Sequence, residues 1–138
     1  LNKFENRTIY DENFFFFFEE VDLCKRVKKM SGNIYIFNKI KIIHGGGGSV
    51  DDSMTGNYGN FRNWNYYWSR FYYNKKHYGY FSSFVMHFSK LLRFFFSTII
   101  FLFISKNKFK MNKSRLFGLF SSMIGIKSSA SKKVLNKN

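Results

Sequence analysis

Carboxylates crowd the first part of this 138-residue chain: Glu19, Glu20 and Asp22 stand almost side by side, and Asp11 and Glu12 precede them. A carboxylate held beside a cleft can take a proton from a hydroxyl, so general acid–base chemistry, if present, belongs here. His44 leads directly into Gly45–Gly48 and Ser49. Successive backbone N–H groups in such a run can form a nest for an anion. The run lacks both the G-K-(S/T) ending and the G-x-G-x-x-G register, so it reads first as an active-site loop. His77 and His87 have no partner at metal-ligand spacing and read as surface or packing residues. The single cysteine, Cys24, excludes an intrachain disulfide framework and any multi-cysteine zinc site, and reads as a small core residue.

The elements that would position these groups follow from periodicity. A helix is expected from about Glu19 to Met30. At about 100° per residue its apolar face gathers Leu23, Cys24, Val27 and Met30, with Glu20 above them. Asp22 falls on the opposite side, within reach of Arg26 at i+4. Glu19 and Glu20 stand at the helix N-terminus, where the dipole favours their ionised form. The competing reading of the trio is an ordinary acidic first turn. Residues 34–43, β-branched and aromatic with Lys39 and Lys41 alternating against Ile40 and Ile42, carry a strand signal. Residues 44–60 read as a loop, and from Phe61 the spacing of Trp64, Trp68 and Phe71 is helical.

Charge divides the chain. The net charge is +15, yet all eight acidic residues lie in the first 52 positions. The block that follows holds fifteen Lys or Arg and no carboxylate, and calls for an anionic partner such as a bilayer surface or a phosphate backbone. Residues 57–81 interleave aromatics with Arg62, Arg70, Lys75 and Lys76, a mixture suited to a membrane interface, to packing, or to single-stranded nucleic acid. Further on, Phe81, Val85, Phe88, Leu92, Phe95, Ile99 and Leu102 make one stripe opposite Lys90, Arg93 and Ser97. That pattern is an amphipathic helix suited to one leaflet. The uninterrupted apolar run, Phe94 to Ile104, is shorter than the roughly 20 residues a crossing needs. A second amphipathic piece, Arg115 to Ile126, aligns Leu116, Leu119, Phe120 and Met123. Hydrophobic content of 45% excludes a wholly disordered chain, while twenty Phe, nine Tyr and no Pro reflect in part an A/T-rich coding bias. Leu1 opens the chain in place of Met, and no signal-peptide pattern follows it, so a piece of a longer protein is expected.

The stretch Y-D-E-N-F-F-F-F-F-E-E-V-D-L-C-K-R, residues 10–26, resembles the C-terminal part of the catalytic domain of family 2 glycosyltransferases, rhamnosyltransferase-like members above all. The resemblance runs on through K-K-M-S-G-N-I-Y-I-F and I-I-H-G-G-G-G-S, and more loosely through S-R-F-Y-Y-N-K-K-H-Y-G at 69–79. It implies that Glu20, second of the acidic pair, is the catalytic base. The wider family carries Asp there, which leaves Glu19 as the alternative. It implies that Asp22 and Arg26 brace the helix, that His44 lies near the metal and the donor diphosphate, and that Asp11 and Glu12 lead into the acceptor side. A divalent metal, Mg or Mn, and a D-x-D motif in a nucleotide-binding half are expected of the full-length family. This chain contains no D-x-D, and Asp51-Asp52 is no substitute because it follows the base.

The resulting expectation is α/β: a partial GT-A-like fold lacking its N-terminal nucleotide-binding half, with C-terminal amphipathic α-helices. Residues 1–60 would be the acceptor-side, catalytic-base part, and residues 61–138 a basic, aromatic, membrane-associating region. Function is expected to be inverting sugar transfer from a nucleotide-sugar donor to a lipid-linked or envelope-glycan acceptor, peripheral on the cytoplasmic face of a membrane. The chain alone is expected to be inactive. The alternatives are a ribosomal-type nucleic-acid binder and a non-catalytic peripheral membrane protein.

Overall fold

The structure, a computed structural model, describes residues 9–41 and 58–128. Four helices form: α1 (Glu19–Lys29), α2 (Tyr58–Tyr78), α3 (Tyr80–Ile104) and α4 (Lys106–Met123). No strand occurs among the described residues, so the expected α/β, GT-A-like architecture is corrected to an all-helical one. The segment chosen for a strand explains the difference. Ile36 is 94% exposed, and Tyr35, Phe37 and Ile40 are exposed beside it. A strand needs a neighbour for its N–H and C=O groups, and no other described segment is extended alongside this one.

Helix α4 returns antiparallel along α3 after the extended residue Ser105, and also packs on α2. The crossing of α2 and α4 is set by Gly118. A Cβ there would stand 2.2 Å from the Trp64 carbonyl oxygen, so only a hydrogen fits between the two backbones. Beyond α4 the Ile126 N–H reaches back to the Ser121 carbonyl at 2.9 Å. That closure presents the Ile126 carbonyl to Trp68 Nε1–H at 2.7 Å, and brings Ser128 Oγ to the Asn13 carbonyl at 3.2 Å.

The aromatic run before α1 is the seam between the N-terminal segment and α2. Phe14 is buried edge-on to Tyr72, Phe17 meets Tyr66, and Phe18 lies between Tyr66 and Tyr73. Phe17 and Phe18 both adopt left-handed backbone, φ 72° and 71°. Each such residue costs about 1–3 kcal/mol, offset here by the ring contacts and by Ser69 Oγ, which donates to the Phe16 carbonyl at 2.8 Å.

Gly118→Ala is expected to destabilise the protein by about 3 kcal/mol, because α2 and α4 must move apart to admit the methyl group. Gly59→Ala, at a helical site with open space around it, should leave stability unchanged or raise it by less than about 1 kcal/mol. Urea denaturation midpoints of the two variants check the contrast.

Candidate functional site

Asp22 is the best-sealed charge in the described structure, at 0% exposure. Three donors converge on its carboxylate: Arg26 Nε at 2.8 Å, Lys76 Nζ at 2.9 Å and His77 Nε2 at 2.8 Å. Lys76 also donates to Asp11 at 2.7 Å, and Tyr72 donates its hydroxyl to Asp11 at 3.1 Å. Asn13 adds its backbone N–H and side-chain amide to Asp11, and Arg26 reaches the Ile9 carbonyl as well. One lysine thus ties two carboxylates, and the whole N-terminal segment, to the end of α2.

Burial alone would raise the Asp22 carboxyl. The hydrogen bonds from Lys76, His77 and Arg26 outweigh it, and the group is held below its ordinary range. Asp11 is held down in the same way, burial being outweighed by Lys76 and Asn13. Burial pushes His77 down despite its contact with Asp22, with Lys25 and Lys29 adding to the shift. We therefore read a neutral imidazole whose Nε2–H donates to an ionised Asp22. The Tyr72 hydroxyl is pushed up to about 12 by burial and by Asp11, so it remains a donor.

Several expectations change. The buried face of α1 is the Asp22 face, not the Cys24 face, and Cys24 is exposed. The reason is tertiary: Lys76 and His77 satisfy Asp22 from a helix fifty residues away, whereas no described element covers Cys24. The Asp22–Arg26 pair forms as expected. Glu20 is exposed on α1, Glu12 is exposed, and Glu19 is half-buried with its Oε2 unpartnered among the described atoms. His44, the glycine run, Asp51 and Asp52 lie outside the described residues. His77, read from spacing as a surface or packing residue, belongs to the network at 3% side-chain exposure. Its place in the K-K-H-Y-G segment is the signal that could have found it. No grouping of His, Cys, Asp or Glu among the described residues could hold a metal ion.

The second feature is α3, which packs through its more polar side. Ser83 Oγ donates to the Phe71 carbonyl at 3.2 Å, and His87 lies buried against the Phe71 ring. All seven residues of the predicted stripe, Phe81 through Leu102, are exposed, Phe81 by 78%. The short run Phe94–Ile104 is part of a 25-residue helix that is long and apolar enough to cross a membrane by length and composition. On α4, Leu119 of the second predicted piece is fully buried while Phe120 remains exposed. Comparison of the chain with models of known protein families, with curated proteins and with solved structures finds no match.

The network gives stability a pH signature. The folded pKa of His77 lies below 6.5, so its contribution is complete above that pH and is lost as acid charges the ring. Asp22 and Asp11 lie below 3.8, and their contribution goes only as pH falls further, through their folded values. Urea midpoints are therefore expected to drop in two legs. The upper leg should shrink in His77→Gln, whose amide still donates. Asp22→Asn should cost about 3 kcal/mol at neutral pH by leaving Lys76 and Arg26 short of a counter-charge.

Proposed function

We propose that this chain is the acceptor-side part of an inverting family 2 glycosyltransferase, rhamnosyltransferase-like in its motifs, working at the cytoplasmic face of a membrane on a lipid-linked or envelope-glycan acceptor. A contact between distant segments carries this reading. Asp11, Asp22 and Arg26 belong to the first stretch that resembles the family, Tyr72, Lys76 and His77 to the second, and one ion-pair network joins them. Two stretches that share a resemblance and are joined by an ion-pair network support the reading of one functional unit.

In that unit the network positions and Glu20 reacts. Asp22 and its donors fix α1, and Glu20 stands two residues away on the exposed side. Its carboxylate takes the proton of the acceptor hydroxyl as that oxygen bonds to the anomeric carbon. The bond to the nucleoside diphosphate breaks on the opposite side, and the configuration inverts. Donor binding is assigned to residues other than those described. The exposed stripe of α3 supports the membrane setting, since it meets lipid while the cations of α3 and α4 meet anionic headgroups.

In an enzyme carrying this segment beside a nucleotide-binding half, Glu20→Gln is expected to lower sugar transfer by about a hundredfold or more with donor affinity unchanged. Glu19→Gln should cost far less. Transfer of labelled sugar to extracted acceptor lipid measures both, and full activity in both variants would discard the enzyme reading.

For the membrane setting, the chain should bind anionic vesicles and keep part of that binding in high salt. Replacing Phe88, Leu92, Phe95 and Ile99 together by Ser should abolish the salt-resistant part in a flotation assay. Unchanged binding, or a preference for single-stranded RNA, would overturn it.

A further inference from the structure

On the flank of the α3–α4 seam lies a recess of about 370 Å³ whose rim carries Lys90 and Arg93 from α3 and Lys108 and Arg115 from α4. Asn112 and Tyr67 line it as well, and no carboxylate does. The acidic residues of the described structure all lie before α2 and none of them lines the recess, so no described carboxylate neutralises this charge there. Two of the cations are held by aromatic faces instead. Lys108 stands over the Phe101 ring at 5.1 Å, and Arg115 over Phe94 at 6.0 Å, while Arg115 Nε donates to Asn63 at 3.2 Å. A ring face orients a cation without cancelling its charge, and planar guanidinium groups suit phosphate oxygens.

Arg93 marks where the recess meets the rest of the surface. Lys90 and Ser97 line the recess from the side of α3 opposite the stripe, but Arg93 lies toward its edge, where Leu92, Phe96 and Ile100 of the same helix are exposed. We propose that this recess binds the phosphate group of an anionic phospholipid, with the acyl chains running along the exposed face of α3. Free phosphate or pyrophosphate would use the same cations but would leave the apolar face bare, which is why the lipid is the occupant assigned. The inference rests on the membrane half of the proposed function and sharpens it from a diffuse charge attraction to a site.

A charge-matched comparison on the full chain tests this. One variant combines Arg93→Gln, Lys108→Gln and Arg115→Gln; the control combines Lys106→Gln, Lys110→Gln and Lys113→Gln, exposed cations outside the recess. Binding is read on phosphatidylcholine vesicles with and without phosphatidylglycerol, and circular dichroism verifies the helices. A site predicts about a hundredfold weaker binding for the recess variant and less than about tenfold for the control. Should the recess variant unfold, the pair Arg93→Gln and Lys108→Gln, which spares the Arg115 contacts, carries the same contrast against a two-cation control, Lys106→Gln and Lys110→Gln. Equal losses in the two variants would overturn the site and leave only diffuse attraction. Protection of the parent by pyrophosphate, with no difference between the variants on vesicles, would overturn the lipid as occupant. Parent binding to vesicles that is intact in both variants but lost when the α3 stripe is replaced by Ser would discard the recess while the membrane reading stands. No vesicle binding by the parent at all would remove the membrane reading itself.

Discussion

A carboxylate sealed from water must be matched by donors, because its desolvation costs several kcal/mol that nothing else in a small protein can supply. Asp22 is matched by Arg26 from its own helix and by Lys76 and His77 from the end of α2. The remainder of the N-terminal segment follows from that demand. Lys76 bonds Asp22 and Asp11 at once, and Asp11 holds the turn at Asn13. The phenylalanine run lies along α2 beside these bonds, through a left-handed turn at Phe17 and Phe18. Polar chemistry sets the geometry, and the rings fill it.

The opposite economy governs α3. Among the described residues the buried apolar side chains are few: Phe14, Trp68, Phe71, Phe94 and Leu119. The most apolar helix contributes only Phe94 to that core and turns Phe81, Phe88, Phe95 and Phe103 outward. A water-soluble surface helix has the reverse arrangement. Its inner side, with Ser83 and His87, is small and polar enough to sit tightly on α2. A surrounding less polar than water lowers the cost of the outer side.

Local features of the chain were legible in its sequence. Glu19 opens α1, the Trp64–Trp68–Phe71 spacing marks α2, and the α3 stripe falls on one face. What failed was non-local. The orientation of α1 depends on Lys76 and His77, which no helical wheel of residues 19–30 contains. The β-branched pattern of 34–41 is a genuine propensity, but a propensity without a partner strand makes no sheet. Gly118 reads as a blemish in α4 until the Trp64 backbone lies against it. The cations of the recess are scattered in sequence and gather only when α4 folds back on α3.

Gly79 is the sole residue between α2 and α3, with φ 86°. A joint of one residue has two soft torsions and no slack. His77, two positions before it, grips Asp22, and Phe81, two positions after it, opens the exposed stripe. Tilt and rotation of α3 are therefore transmitted to α1 as by a lever on a short pivot. Were α3 to rest in a lipid surface, the height of Glu20 above it would follow from the torsions of this glycine together with the packing of α3 on α2 and α4. Under the proposed function, a substrate tethered to the same surface would then meet that carboxylate at a depth set by the helix joint.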